Sequence, residues 1–114
     1  MTNETFPRLV KKVWGHELWW VNEPEYGCKT LGIDKGASGS LHYHPIKKET
    51  FIMVKGKIKL EYGDKEVILE AGYAPITILP GVRHRFTGLK NSIFLEVSTH
   101  HDDNDVVRLE LSKT

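Results

Sequence analysis

Hydrophobic and polar residues alternate along short stretches of this chain, and the alternation is clearest over Lys57–Tyr62. Every second residue there is apolar, so one face of the segment is predicted to be buried while the lysines meet water, as in a half-buried strand. Residues 63–65 (GDK) then predict a turn, and residues 66–69 a returning strand that completes a hairpin.

Glycine and proline recur between similar segments that are rich in Val, Ile, Leu, Thr and aromatic residues, which is the spacing of strands and turns. These further strand candidates are residues 8–14, 18–21, 29–34, 40–44, 50–54, 76–79, 85–87, 92–98 and 106–111. No stretch keeps an apolar stripe at helical spacing without an interruption. The pattern therefore predicts an all-β fold of about ten short strands.

So many short strands can hide their apolar faces by packing as two sheets or by closing into a small barrel, whose interior is a natural pocket. In the strand predicted at 40–44, Ser40, His42 and His44 share one face, and Leu41 and Tyr43 share the other. The two histidines are thus predicted to point the same way.

Composition narrows the classes of protein that fit. A chain of 114 residues predicts a single domain, 1–114. Its formal net charge of +1 provides no broad positive field, so nucleic acid is not expected as a partner. One cysteine, Cys28, cannot form an internal disulfide, and the first residues resemble neither a signal peptide nor a membrane span. We therefore expect a cytoplasmic protein without a membrane partner.

Three histidines and one glutamate are the main candidates for chemistry. His42 and His44 share a strand face, Glu49 begins the next predicted strand, and a Pro-Gly turn delivers His84 to another. Three imidazoles and a carboxylate suit a divalent transition metal such as Mn, Fe, Co, Ni, Cu or Zn, with positions left for water or substrate. A polar surface face or a hydrogen-bonded histidine pair is the alternative interpretation.

The spacing of these residues resembles the first motif of the cupin family, G-x5-H-x-H-x4-E-x6-G. Gly36, His42, His44, Glu49 and Gly56 match it in full. The resemblance implies a small double-stranded β-helix, or jelly-roll barrel, that is commonly dimeric. It also implies that His42, His44, Glu49 and His84 are metal ligands.

The second cupin motif, G-x5-P-x-G-x2-H-x3-N, is matched in part by Gly72, Gly81 and His84. Leu79 stands at the position of the usual proline, Gly88 at that of the usual asparagine, and one extra residue precedes Leu79. Because the glycine and proline serve the turn, these departures concern local geometry more than ligation.

A narrower resemblance links the chain to cupin-type phosphomannose isomerases and the similar domain of sugar-phosphate guanylyltransferases. Residues 12–17 (KVWGHE), 84–86 (HRF), 95–97 (LEV) and 102–108 (DDNDVVR) carry it. Residues 44–51 (HPIKKETF) lack the arginine of that group, and residues 111–114 (LSKT) lack its Tyr-Gly-Arg ending. The resemblance implies sugar-phosphate chemistry.

Substrate-binding and catalytic residues can be suggested by type. Arg83, Arg85 and Arg108 are candidates for holding a phosphate or carboxylate. Lys47 and Lys48 could do the same, but we expect both to be solvated surface residues. The possible bases are listed by their ability to accept a proton: His16, Tyr43, Glu96 and His100.

Several residues have both a structural and a functional interpretation. Glu96 lies between two apolar residues and is predicted to point away from them, toward a pocket or toward the exterior. His100 and His101, next to three aspartates, fit a hydrated turn better than a second metal site. The three tryptophans exceed what one small core needs, so we expect some of them at a dimer face, or one as a sugar-stacking platform.

Together these observations predict a metal-binding cupin that acts on a sugar or sugar phosphate as an isomerase or epimerase and forms a homodimer. A non-enzymic carbohydrate- or small-acid-binding protein and a metal-dependent dioxygenase remain the alternatives, because fold alone does not choose among them.

Overall fold

A computed structural model describes residues 5–114, and the segments predicted as strands are strands in it. The eleven strands are β1 (Arg8–Lys12), β2 (Gly15–Asn22), β3 (Gly27–Ile33), β4 (Leu41–Tyr43), β5 (Glu49–Lys55), β6 (Lys57–Tyr62), β7 (Lys65–Glu70), β8 (Ile76–Ile78), β9 (His84–Gly88), β10 (Ser92–Ser98) and β11 (Val107–Glu110). Within the described residues there is no helix, and accordingly none that could cross a membrane.

The strands form two antiparallel sheets. One has six strands in the order β1-β2-β3-β10-β5-β8, and the other has five in the order β11-β4-β9-β6-β7. Neighbours in each sheet come from distant parts of the chain, because β10 lies between β3 and β5 and β4 lies between β11 and β9. This is the predicted jelly-roll barrel.

The core lies between the sheets and consists of the inward-facing residues, which alternate with outward-facing ones along the strands. Phe51, Phe86 and Phe94 pack edge to face, with ring centroids 5.0 to 6.1 Å apart. Burial of a large apolar side chain contributes about 1.5–3 kcal/mol, so this cluster closes one end of the barrel firmly. The other end stays polar and hollow.

The three tryptophans lie in different surroundings. Trp14 is buried against Phe86, with ring centroids 5.3 Å apart, and Trp19 is buried in the wall of the hollow. Only Trp20 is exposed. Trp19 and Trp20 are adjacent on β2, so strand alternation turns Trp19 inward and Trp20 outward.

A glycine of the first motif has a clear structural role. Gly56 joins β5 to β6 with a φ of 91°, in the left-handed region that favours glycine. A Cβ atom there would lie 2.3 Å from Ser92 Oγ. The position therefore requires glycine for both conformation and space.

Candidate metal centre

Three strands and one loop bring the four predicted ligands together. His42 on β4 is the register partner of His84, the first residue of β9. His44 follows β4 directly, and its carbonyl oxygen accepts a hydrogen bond from the Gly81 amide at 2.8 Å, which ties the turn before β9 to the end of β4. Glu49 is the first residue of β5. The candidate ligand nitrogens of the three histidines lie within 4.8 Å of one another.

Each imidazole is oriented by a backbone carbonyl. The Nδ1 atoms of His42, His44 and His84 lie 3.0, 2.7 and 2.9 Å from the carbonyl oxygens of Ser40, Asp105 and Val82. A carbonyl only accepts hydrogen bonds, so each Nδ1 carries the proton and donates it. In a neutral ring this leaves Nε2 with a lone pair, the arrangement that metal-binding histidines have when their other nitrogen is held. Burial alone would lower the pKa of His84, but the Glu49 carboxylate raises it, so a metal at this ring would compete with a proton.

The carboxylate of Glu49 completes the set. Its Oε1 lies 3.3 Å from His44 Nε2, and its Oε2 lies 3.0 Å from His84 Nε2. Among the described residues, Glu49 Oε1 and His84 Nε2 are buried without a hydrogen-bond partner, although these contacts are close. Buried polar atoms without partners are costly, and a bound cation would satisfy both. The donor set thus fits a divalent transition metal.

Burial and charge set the protonation of the ligands. Burial, helped by the neighbouring His84 and His44, lowers the pKa of His42 from 6.5 to about 3, so this ring is neutral. Burial alone would raise the pKa of Glu49, but His84 and the Lys47 ammonium lower it. The glutamate is therefore ionised, as ligation requires.

A buried lysine lies beside the centre, contrary to the expectation that Lys47 is a solvated surface residue. Its ammonium pairs with Glu49 Oε1 at 3.2 Å and hydrogen-bonds Glu96 Oε2 at 3.1 Å and His101 Nδ1 at 3.0 Å. Burial alone would lower the pKa of Lys47, but the two carboxylates raise it. Lys48, the next residue, is exposed as expected.

Two of the remaining predicted site residues reach the hollow, a cavity of about 590 Å³ that also contains the four ligands. Glu96 points inward, as one of its two interpretations predicted, and is buried. Burial alone would raise its pKa, but Lys29 and Lys47 lower it. Arg108 is exposed on β11 and lines the cavity as the register partner of His42.

Five predicted site residues lie outside this cavity. His16 is exposed on β2, with its ring over Gly32. Tyr43 lies on the face of β4 opposite His42, and Arg83 is exposed before β9. Arg85 alternates with His84 and donates hydrogen bonds to Gly39 and Glu110. His100 is exposed, and its Nδ1 lies 3.0 Å from the Glu23 carbonyl oxygen. None of these five residues lines the cavity that contains the four candidate ligands.

The structure also adds residues that sequence reasoning missed. Lys29 and Glu17 line the cavity. Lys29 could have been predicted to point inward, because it lies two residues before the buried Leu31 on the same strand. Asp105, which the sequence assigned to a hydrated turn, accepts hydrogen bonds from the amides of Ile46 and Lys47 at 2.9 and 2.8 Å. It thereby holds the loop between His44 and Glu49. No sequence pattern marked that role.

Comparisons with known proteins agree with this geometry. Residues 30–98, more than half of the chain, match the family described as Cupin domain. No protein with a curated description matches the chain significantly in sequence.

Solved structures of similar fold come from several proteins. A variant of Streptomyces PAC13 with uridine has a TM-score of 0.79 at 12% identity, over 97% of this chain and 93% of that one. KdgF from Halomonas sp. has a TM-score of 0.72 at 18% identity, over 78% and 82%. A variant of Bacillus subtilis oxalate decarboxylase has a TM-score of 0.76 at 18% identity, and the match covers 91% of this chain but 30% of the decarboxylase chain. At such identities the likeness concerns the fold.

Proposed function

Because this chain belongs to the cupin-domain family, we propose that it is a metal-dependent enzyme acting on a sugar or sugar phosphate, as an isomerase or epimerase. The observation that carries the proposal is the cluster of His42, His44 and His84, with the Glu49 carboxylate in contact with two of the rings and two buried ligand atoms left without hydrogen bonds. Further support comes from the resemblance of residues 12–17 and 84–86 to phosphomannose isomerases.

The cavity residues have distinct tasks in this proposal. A bound divalent ion would act as a Lewis acid toward the carbonyl and hydroxyl oxygens of a sugar. Glu96 is the one predicted base that lines the cavity, and its carboxylate is ionised and able to accept a proton. Arg108 at the cavity mouth offers a guanidinium to an anionic group.

One observation favours the alternative of a binding protein without turnover. Glu96 Oε2 accepts a hydrogen bond from Lys47 at 3.1 Å and lies 3.7 Å from the Lys29 ammonium. Two neighbouring cations make a carboxylate a weaker base. A sugar- or acid-binding module would need no base, so it would retain the cavity and this pairing unchanged.

Metal analysis tests the ligand assignment. We expect the wild-type protein to retain a transition metal and His42→Ala and His84→Ala to lose it. His100→Ala is the matched control, because His100 is exposed and contacts the Glu23 carbonyl instead. Equal metal content in all four proteins would contradict the assignment.

Turnover is tested separately, by incubating metal-loaded protein with aldose and ketose phosphates. Interconversion that a chelator abolishes supports the isomerase. Tight binding without interconversion supports the binding protein, and oxygen uptake by iron-loaded protein with candidate diols would support the dioxygenase.

A homodimer is part of the proposal and is supported by the outer face of the six-stranded sheet. An outward row crosses five neighbouring strands in register: Leu9, Leu18, Thr30, Leu95 and Ile52. Exposed Trp20, Val54 and Val97 extend this apolar face, which a second copy would bury. Sedimentation should show a dimer that Val97→Lys weakens, while Ile68→Lys on the other sheet leaves it intact. A monomeric wild type would contradict the proposal.

A further inference from the structure

Lys29 is a buried cation in the middle of the cavity wall. It lies on β3, and its register partners are Trp19 on β2 and Glu96 on β10. The residue is 5% exposed, and its side chain lines the cavity. Burying an ammonium is costly unless it is paired and hydrogen-bonded, so its contacts need an account.

Those contacts leave its hydrogen-bonding capacity unused. The ammonium lies 3.7 Å from Glu96 Oε2 and 3.8 Å from Glu17 Oε1, both beyond hydrogen-bond distance. The Trp19 ring covers one side at 4.1 Å from its centroid. An ammonium has three donors, and within residues 5–114 no oxygen accepts a hydrogen bond from this one.

The neighbouring Lys47 is a useful comparison. Its ammonium hydrogen-bonds Glu96 and His101 and pairs with Glu49, so its donors are engaged within the protein. Glu17 Oε1 is likewise occupied, because the Trp19 indole donates to it at 3.0 Å. Of the two buried lysines, only Lys29 has donors to offer to a ligand.

Charge balance gives the sign of that ligand. The buried part of the cavity holds two ammonium groups, Lys29 and Lys47, against three carboxylates, Glu17, Glu49 and Glu96. The deficit of one positive charge becomes an excess of one when a divalent cation binds, because ligation requires the histidines to be neutral. A buried excess of positive charge is stabilised by an anion.

We propose that Lys29 is the anion-binding residue of the cavity and donates hydrogen bonds to a carboxylate or phosphate oxygen of the ligand. The substrate class is then a small polyhydroxylated acid or phosphate ester whose other oxygens face the candidate metal ligands. This inference rests on the proposed function and narrows its substrates to anions. It also places the main anion contact inside the cavity rather than at the exposed Arg108.

Three probes with one carbon skeleton test the proposal: gluconate, sorbitol phosphate and uncharged sorbitol. Wild-type protein should bind at least one of the two anions more tightly than sorbitol. Lys29→Met should lower that preference by about tenfold or more, because a hydrogen bond to a charged group is lost. A loss of affinity for gluconate would identify a carboxylate as the group that Lys29 binds, and a loss for sorbitol phosphate would identify a phosphate.

The control is Lys55→Met, which removes the same charge from an exposed end of β5 and should leave the preference unchanged. Lys29→Arg, which keeps the charge, should retain part of it. If Lys29→Met does not fold, Lys29→Met with Glu17→Gln removes one cation and one carboxylate together and keeps the balance. Calorimetry on protein with and without added manganese measures the affinities.

Equal preference in wild type and the folded Lys29 variant, in both metal states, would overturn the proposal. So would a wild type that binds sorbitol as well as either anion. Metal content is measured on the same samples, so a failure of the metal site shows as absent metal, independently of the anion preference.

Discussion

Lys47→Met removes a buried ammonium and keeps an unbranched apolar side chain of similar length. The structure predicts a large effect, because Lys47 is 2% exposed and contacts Glu49, Glu96 and His101. Both carboxylates would stay buried after the change, and each would lose its closest cation. Breaking a buried ion pair by removing one partner costs about 3–5 kcal/mol. That is a large part of the 5–15 kcal/mol that typically stabilises a domain.

The matched control is the adjacent Lys48→Met, which changes the same residue type at an exposed position. Its expected effect on the free energy of unfolding is within about 0.5 kcal/mol. Urea denaturation of chelator-treated protein, followed by tryptophan fluorescence, measures both. Added metal should restore part of the loss in Lys47→Met, because a cation at Glu49 replaces one of the missing interactions.

A double variant separates charge from packing. Adding Glu96→Gln to Lys47→Met removes one of the stranded carboxylates, so it should recover stability relative to the single variant. If Lys47→Met unfolds with the same free energy as Lys48→Met, the ion network does not hold the cavity and the electrostatic reasoning is refuted.

Three further predictions concern other parts of the cavity and barrel. Burial, followed by the charges of Lys29 and Lys47, lowers the pKa of His101 from 6.5 to about 4. Between these pH values the unfolded chain binds a proton that the folded chain does not, so stability is lost as the pH falls from 6.5 to about 4. His101→Gln should therefore reduce the slope of stability against pH by up to about 1.4 kcal/mol per unit between pH 6.5 and 4, measured by urea denaturation; an unchanged slope would contradict it. Gly56→Ala should lower the free energy of unfolding by about 2 kcal/mol or more, because the added Cβ would clash with Ser92. Gly72→Ala, at a φ of 94° with nothing within 4 Å, should lower it by only the backbone strain of about 1–2 kcal/mol. Equal shifts in melting temperature would refute the steric explanation. Asp105→Ala should weaken metal binding about tenfold in a competition assay by freeing the loop between two ligands, and unchanged affinity would show that the loop is held otherwise.

Strand alternation made most of the fold predictable from sequence. The period of two over Lys57–Tyr62 recurs in the structure as the inward Ile58 and Leu60, and the same rule placed His42 and His44 on one face. Alternation alone could not bring Glu49 and His84 next to them. The start of the following predicted strand and a Pro-Gly turn suggested these two residues, and the family motif supported the set through its spacing.

The cavity interior was less predictable, for physical reasons. Lysine is usually solvated, so composition placed Lys47 on the surface, but two carboxylates from separate strands, Glu49 and Glu96, compensate its burial. Such compensation depends on pairings between residues far apart in the chain. His16 and Tyr43 do not line the cavity because the face of the strand decides where a side chain points, and a residue's chemical type does not.

The last strand, β11, has consequences for how an ion enters and leaves. It pairs with β4, which carries His42, and the preceding Asp105 holds His44 through its carbonyl. All four residues of β11 are exposed, so the strand has little apolar burial of its own and is a candidate for local opening. Each opening would release the backbone pairing of β4, which carries His42, together with the carbonyl that holds the His44 imidazole. The lifetime of the bound ion would then follow the hydrogen-exchange rate of the β11 amides, and a loaded site would in turn slow that exchange.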